Sequence, residues 1–334
     1  MAKIKCPQCG TRYTGNFCPT CSAPAPEQPP AKKKKWLIPV VILAVIVLAA
    51  ACSGGSGSET RQTTGAQSGA VSGEAGTAGG ESGSAAAKAT LDETELYNQG
   101  GICVTATGLS DGTFGPDVDI TVTNGSDRNI VVVTQDLSVN GYMLSAGSGL
   151  YSDVAAGKNA LDELSLSRSD LREAGIETIA VLEFSLRIYD SDSYDTIDET
   201  GLLQLTTSAA EGFTQPVDDS GEVVYDADGL RVICKGLKDD SIWDGCVVFL
   251  FENESGDTLT LSGENVSVNG FMVDPGLWTR LRTGTRAVDA MYLLDLDELG
   301  LESIDEVENI EFSLNIITDD FDIRSTDPIV LQFQ

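Results

Sequence analysis

Histidine is absent from the 334-residue chain. Its absence excludes Ser-His-Asp and Cys-His catalysis and every metal site ligated by imidazole. Basic residues are scarce as well: 21 Lys and Arg stand against 51 Asp and Glu, a formal net charge of −30. That balance excludes a general nucleic-acid binder, whose affinity comes from neutralising phosphates. Aromatic residues make up only 6% of the chain, and no P-loop, nucleophile elbow or GxGxxG stands in a usable context. Carboxylates are plentiful, but their density alone does not define an acid/base pair. The composition argues against a hydrolase or oxidoreductase of the usual kinds, and the chain reads as non-enzymatic.

What is present is unevenly distributed. Residues 1–52 carry seven Lys and Arg against one acid, and residues 53–334 carry 14 against 50, a net −36. Residues 23–35 are Pro-rich and then basic, ending in Lys32, Lys33, Lys34 and Lys35. One long apolar run follows, Trp36 to Ala51, interrupted only by Pro39. It sits at the short end of the roughly 17–25 residues expected of a spanning helix. Trp36 suits the interfacial belt, and Pro39 falls in the first turn, where its missing N–H costs little. Lysines flank the N-terminal side only, so residues 1–35 are expected in the cytoplasm and everything after Cys52 outside the cell membrane. The segment 36–52 is thus expected to be a single-pass transmembrane helix or signal anchor. Leu48 to Gly55 also resembles a bacterial lipobox with Cys52 as the lipidated residue, although Ala49 stands where such sites carry Leu. An uncleaved anchor with an incidental Cys52 is the plainer reading. Residues 53–90, rich in Gly, Ser, Ala and Thr, cannot bury enough apolar surface to fold. They are expected to form a disordered stalk spanning about 35 Å root-mean-square.

The first 22 residues hold two CxxC knuckles, Cys6-Pro7-Gln8-Cys9 and Cys18-Pro19-Thr20-Cys21. Two residues between ligands let the chain fold back so that each pair grips one ion. Four thiolates complete a tetrahedral Zn²⁺ site with no open position for catalysis. The reading is one structural Zn²⁺ held by Cys6, Cys9, Cys18 and Cys21 in a small zinc ribbon. A redox dithiol pair and an iron site are the alternatives. So small a module folds only through its metal. Lys3, Lys5 and Arg12 would offset the site's negative charge, as a solvated face or as a contact surface for a cytoplasmic protein.

The remainder is an internal repeat. Ser138-Val139-Asn140-Gly141-Tyr142-Met143 recurs as Ser267-Val268-Asn269-Gly270-Phe271-Met272, and Glu183-Phe184-Ser185-Leu186 recurs as Glu311-Phe312-Ser313-Leu314. Tyr97, Gly101, Gly108-Leu109 and Asn124 match Tyr225, Gly229, Gly236-Leu237 and Asn253. The modules span residues 95–210 and 223–334, joined by an acidic linker over 211–222. Strands are expected at Ile102–Thr107, Val118–Thr123, Leu161–Leu166 and Val181–Tyr189, with a further strand of period-two apolar residues (Ile130, Val132) leading to the Asn-Gly pair, and at the matching positions of the second copy. Asn-Gly tolerates positive φ and marks a hairpin. A helical turn is expected at Ser169–Ala174 and at Asp295–Leu299, stopped by Gly175 and Gly300. Seven or so short strands per copy predict a mainly β fold of two tandem immunoglobulin-like β-sandwich modules. A barrel is the alternative.

Three further cysteines lie in the modules. Cys103 aligns with Arg231, while Cys234 and Cys246 belong to the second copy alone and flank one loop, as a disulfide or as buried thiols. Acidic loops at Asp190, Asp192, Asp195 and Asp198, and at Asp319, Asp320 and Asp322, invite a Ca²⁺ reading, but the EF-hand glycine and terminal glutamate are missing. Solvated turns are the preferred reading.

The double CxxC, the single span and the paired modules with a Ser-Val-Asn-Gly-Tyr/Phe-Met motif together resemble membrane-anchored surface proteins of Gram-positive bacteria. The resemblance implies export of the modules but no activity. Two functions follow from the organisation. One is a membrane-anchored surface protein whose modules bind an envelope component or a protein, cationic or Ca²⁺-bridged because a −36 exterior repels anionic surfaces. The other is a transmembrane sensor that couples an external signal to a cytoplasmic partner of the zinc ribbon.

Overall fold

The computed structural model describes residues 4–5, 12–13, 89–239, 245–293, 296–301 and 303–333. The chain divides into two compact units, residues 1–81 and 82–334. In the first, β1 (Ile4–Lys5) pairs antiparallel with β2 (Arg12–Tyr13), Ile4 opposite Tyr13 and Lys5 opposite Arg12. No helix among the described residues is long and apolar enough to cross a membrane. The apolar run at 36–52 lies outside them.

The second unit is mainly β and is built twice over the same plan. In the first module, β3 (Thr94–Gln99), β4 (Ile102–Asp111), β5 (Pro116–Asn124) and, later, β9 (Lys158–Ser165) form a four-stranded antiparallel sheet in that order. The second sheet centres on β6 (Ile130–Val139) and β10 (Val181–Asp190), flanked by β7 (Tyr142–Met143), β8 (Tyr151–Val154), β11 (Thr196–Glu199) and β12 (Leu203–Thr206). A short helix, α1 (Arg168–Glu173), carries the chain from one sheet to the other before the long β10. Ser167 caps it by accepting from the Asp170 N–H, and Gly175 at φ +64 ends it. The second module repeats the order with β13 (Glu222–Ala227), β14 (Leu230–Lys238), β15 (Cys246–Asn253) and β20 (Thr285–Leu293) in one sheet. Its other sheet holds β16 (Leu259–Val268), β17 (Phe271–Met272), β19 (Trp278–Leu281), β21 (Asn309–Thr318), β22 (Ile323–Ser325) and β23 (Ile329–Gln332). The small β18 (Pro275–Gly276) adds to the edge of β20. Short 3-10 turns at Leu296–Leu299 and Ile304–Glu306 replace the helix.

Alternation drives this arrangement. In β10 Leu182, Phe184, Leu186 and Ile188 face inward and are fully buried, while Glu183, Ser185, Arg187 and Tyr189 face out. The same period-two pattern recurs in β21 around Ile310, Phe312, Leu314 and Ile316. Phe249 lies at the centre of the second core, 5.6 Å from Phe251 and 5.7 Å from Phe312 between ring centroids.

The landmarks of the repeat are the points where the fold needs a particular residue. Asn140-Gly141 and Asn269-Gly270 turn β6 into β7 and β16 into β17 with both residues at positive φ (51 and 83, 48 and 80). Both asparagines also tie the hairpin to the crossover. Asn140 Oδ1 accepts from the N–H groups of Ala180 and Val181, and Asn269 Oδ1 from those of Glu308 and Asn309. Buried Asn124 donates to the carbonyls of Arg128 and Val154, and Asn253 to those of Asp257 and Leu281. Gly108 and Gly236 mark matching bulges, at shifts in register between β4 and β5 and between β14 and β15.

One expectation needs correction. The stalk was placed through residue 90, yet Thr90 exchanges hydrogen bonds with Ser208 and the adjoining Leu91 is buried, so the folded module includes both. Of the two readings of Cys234 and Cys246, the structure bears out buried thiols: both are free and buried, and Cys234 lies opposite Phe249 and Cys246 opposite Lys238, three ladder positions apart, or about 10 Å along the strand. The edge strands β3 and β13 were also missed. Each carries a bulge, between Glu95 and Tyr97 and between Val223 and Tyr225, which breaks its alternation.

The modules are joined by continuous structure. Tyr142 of β7 lies beside Arg286 of β20 in a parallel pairing, and the Arg286 N–H donates to the Gly141 carbonyl at 2.9 Å. This fuses the second sheet of the first module and the first sheet of the second into eleven strands. Ile233, Leu250 and Val288, one cross-strand row on the outer face of the second module, join the apolar cluster of the first. Met143 joins that of the second. Polar clamps surround the row. Arg282 donates to Ser138 Oγ (2.7 Å) and Glu183 (3.1 Å), Lys238 pairs with Glu173 (2.6 Å), and Arg280 divides its guanidinium between Asp136 and Asp319 (2.5 and 2.7 Å). In the next row Glu252 accepts from Arg231 and Arg286. Burial alone would raise its carboxyl, but the two guanidiniums outweigh burial and hold it below the usual range. The linker is ordered too: Gln215 accepts from Asn140, and Lys235 holds Asp218 and Ser220.

If Asn253 pins two loop carbonyls from inside the core, Asn253→Ala should destabilise the chain by about 2–3 kcal/mol. Urea denaturation measures this; a loss under about 0.5 kcal/mol, typical of a neutral surface change, would overturn that role.

Candidate functional site

The four thiol ligands expected for zinc, Cys6, Cys9, Cys18 and Cys21, lie outside the described residues. The β1–β2 hairpin brackets the first CxxC in the sequence. Among the described residues no three carboxylate or thiol side chains group as a metal site. The acidic loops are engaged in turn geometry and ion pairs. Asp190 accepts from the N–H groups of Asp192 and Ser193, Asp195 from Ser193 Oγ, Asp198 from the Tyr97 hydroxyl, and Asp319 from Arg280. The Ca²⁺ reading finds no convergence there. Asp289 faces inward, and burial pushes its carboxyl up, but its partner at 2.7 Å is the Thr279 hydroxyl rather than a second carboxylate. Ser152 and Asp162 form the same pin in the first module. These pins tie the two sheets together and do not make an acid/base pair.

Two hollows among the described residues, about 380 and 310 Å³, are open clefts beside the edge strands β3 and β13. Neither encloses a small molecule. The features that stand out lie on the outer faces of the second sheets. In the first module Tyr151, Val133, Arg187 and Glu199 form one cross-strand row, and Asp153, Val131, Tyr189 and Thr196 the next. Tyr194, on the turn after β10, stacks on Tyr189 with ring centroids 6.3 Å apart, and the Arg187 guanidinium lies 5.8 Å over the Tyr189 ring. Burial, with Tyr151 beside it, pushes the Tyr189 hydroxyl up to about 12, so it stays a neutral donor.

The second module rebuilds this face with different rings. Trp278, Ser262, Asn315 and Ser325 form the first row, and Arg280, Thr260, Ile317 and Ile323 the second. Phe321 occupies the turn position of Tyr194. Tyr151, Tyr194, Trp278 and Phe321 are all exposed, on a chain poor in aromatic residues. Tyr194 and Phe321 both sit at φ 64. Left-handed backbone is costly for a large side chain and cheap for Gly or Asn. Holding an aromatic ring there twice, solvated on a turn tip, is the kind of local strain that accompanies binding surfaces. The two faces meet at the joint, where Arg280 reaches from the Ile317 row to Asp136 in the bulge of β6. Sequence reasoning overlooked these faces. The signal was present: Tyr151 matches Trp278 and Tyr194 matches Phe321 across the repeat, in segments otherwise polar.

Phe321→Asn should raise stability by roughly 0.5–1 kcal/mol, because Asn tolerates left-handed backbone that Phe does not. Calorimetric unfolding tests it; a fall in stability would mean that the ring packs in the folded state and is not strained.

No protein-family model matches the chain, and no curated protein matches it. Among solved structures, a Salmonella enterica SafA pilin in complex with its SafB chaperone aligns over 65% of this chain and 89% of its own, at 11% identity and a TM-score of 0.17. A red sea bream transglutaminase aligns over 73% of this chain and 31% of its own, at 10% identity and a TM-score of 0.16.

Proposed function

We propose that the chain is a membrane-anchored, non-enzymatic surface protein whose two β-modules bind an envelope component or a protein through their outer aromatic faces. The observation that carries this reading is the duplication of those faces with exchanged rings: Tyr151 and Tyr194 in one module, Trp278 and Phe321 in the other. A face kept for packing would be covered. These are exposed, and flanked by hydroxyl, amide and guanidinium groups that orient a ligand. Each module is read as immunoglobulin-like. The crossing of the chain from β5 to β6, back to β9, and through α1 to β10 supports this.

The lysine collar before residue 36 and the stalk after Cys52 support a cytoplasmic N-terminus and external modules. Cys6, Cys9, Cys18 and Cys21 are read as the ligands of one structural Zn²⁺, and the hairpin around the first knuckle supports that reading. Purified under reducing conditions, the chain should hold one Zn²⁺, falling toward zero in Cys6→Ser. Less than one ion per chain of the unmodified protein would overturn the zinc assignment.

Protease treatment of intact cells should remove residues 89–334, and their survival would overturn the orientation. A photo-crosslinker at position 321 in the full chain should capture a ligand outside the cell, with a yield about tenfold lower in Trp278→Ala. Unchanged capture would remove the outer face from the binding role. Cytoplasmic partners lost in Cys6→Ser would favour the sensor function instead.

A further inference from the structure

The Ser-Val-Asn-Gly-Tyr/Phe-Met motif occurs twice, but the two copies meet different surroundings. In the first module the hairpin is a completed joint: Tyr142 and Met143 are 2% and 8% exposed because the second module covers them. In the second, Phe271 and Met272 are 61% and 67% exposed, on β17, the edge of its sheet. Both hairpins share the same turn and the same asparagine clamp. An aromatic residue and a methionine left in the open at an edge strand form a surface built to add a neighbouring strand.

The joint inside the chain defines what fits. Its acceptor is the outer face of a four-stranded sheet carrying the aliphatic row Ile233–Leu250–Val288, a strand N–H aimed at the Gly141 carbonyl, and Arg282 reaching Ser138 and Glu183. The second hairpin keeps the complementary groups in place, with Ser267 and the exposed Glu311 at the positions of Ser138 and Glu183. A second copy of this chain does not supply the acceptor. Its own Ile233 row is filled, and the matching row of its first module is Thr105–Thr121–Leu161. Where Arg280 and Arg282 stand, that module has Asp153 and Ala155, so no cation would face Glu311.

We infer that the Phe271–Met272 hairpin is a docking site for a β-module of another protein, one presenting an aliphatic cross-strand row flanked by arginine on a sheet face. The partner's strand would pair in parallel with β17 as β20 pairs with β7, and its arginine would reach Glu311. The site is separate from the outer aromatic faces and holds whether or not those faces bind a ligand.

The test builds the acceptor onto the exposed outer face of the first module, using the full chain in detergent micelles. Thr105→Ile and Thr121→Leu, with Leu161 kept, recreate the row. Ala155→Arg supplies the cation at the position of Arg282, and Asp153→Asn removes the acid that stands at the position of Arg280. All four positions lie on the surface of β4, β5, β8 or the loop after it, outside the core. In sedimentation velocity the unmodified chain should be monomeric. The grafted chain should form concentration-dependent head-to-tail oligomers, at least roughly doubling the weight-average mass. Adding Phe271→Asp and Met272→Asp to the graft should restore the monomer. These two side chains are exposed, so circular dichroism of that variant should be unchanged. A grafted chain that stays monomeric while retaining its native dichroism would overturn the inference. So would oligomers that persist without Phe271 and Met272, or self-association of the unmodified chain through that hairpin. Should the graft lose its native dichroism, the near-isosteric Thr105→Val and Thr121→Val replace the larger side chains, with Ala155→Arg and Asp153→Asn kept, and this variant is tested against the same hairpin substitutions. Absence of hairpin-dependent association there also overturns it.

Discussion

The seam between the two modules is the constraint on which the rest of the second unit depends. A single parallel pairing, Tyr142 beside Arg286, turns two separate sheets into one of eleven strands. One pairing contributes little by itself. Its effect comes from what it forces together: the Ile233–Leu250–Val288 row is withdrawn from water at about 25 cal/mol per Å² of apolar surface, within the core of the neighbouring module. The surrounding ion pairs set the register more than they add stability, since partly exposed pairs are individually weak. Arg280 illustrates this. It is held by Asp319 of its own module and reaches across to Asp136 of the other, so a slip of the joint would break the Asp136 contact. The outer aromatic faces, which meet at this residue, are thereby held in fixed relation.

The sandwich plan was legible wherever a residue type is demanded by backbone geometry. Asn-Gly at 140–141 and 269–270 needs positive φ at both positions, and Gly175 needs it after α1, so these turns could be placed from the sequence. Alternation placed β10 and β21. The edge strands β3 and β13 were illegible because their bulges break the period, as the bulged register at Glu95–Tyr97 shows. The seam itself had left a trace that was not read. In β15 the run Cys246 to Phe251 is apolar at every position, whereas its counterpart β5 alternates Val118, Ile120 and Val122 with Asp119, Thr121 and Thr123. A strand apolar on both sides is buried on both sides. The difference between two copies of one strand thus recorded that only the second module carries a neighbour on its outer face.

That contrast also explains the fate of the remaining landmarks. Asn124 and Asn253, the Ser152–Asp162 and Thr279–Asp289 pins, and the turn glycines are matched because each module must satisfy the same buried backbone groups. Positions that differ are on faces with different neighbours. Thr105 and Thr121 against Ile233 and Leu250, or Cys103 against Arg231, are substitutions between a solvated face and a covered one. The candidate functional residues fall in neither class. Tyr151 and Trp278 are matched in aromatic character although neither is covered, and Tyr194 and Phe321 are matched although the backbone there disfavours both.

This separates the aromatic faces from the ordinary apolar exposure of a folded surface. Scattered exposed apolar residues need no explanation, and a lone ring would carry none. Here the same two positions carry rings in both copies while the residues between them change from Arg187 to Asn315 and from Tyr189 to Ile317. Core packing cannot enforce that match, because the side chains point away from it. Turn geometry cannot enforce it either, because Asn or Gly would relieve the left-handed turn at 194 and 321. The matched exposed rings are therefore the feature on which the proposed binding role rests. Under that proposal, the different polar groups beside the rings would orient a ligand differently in each module.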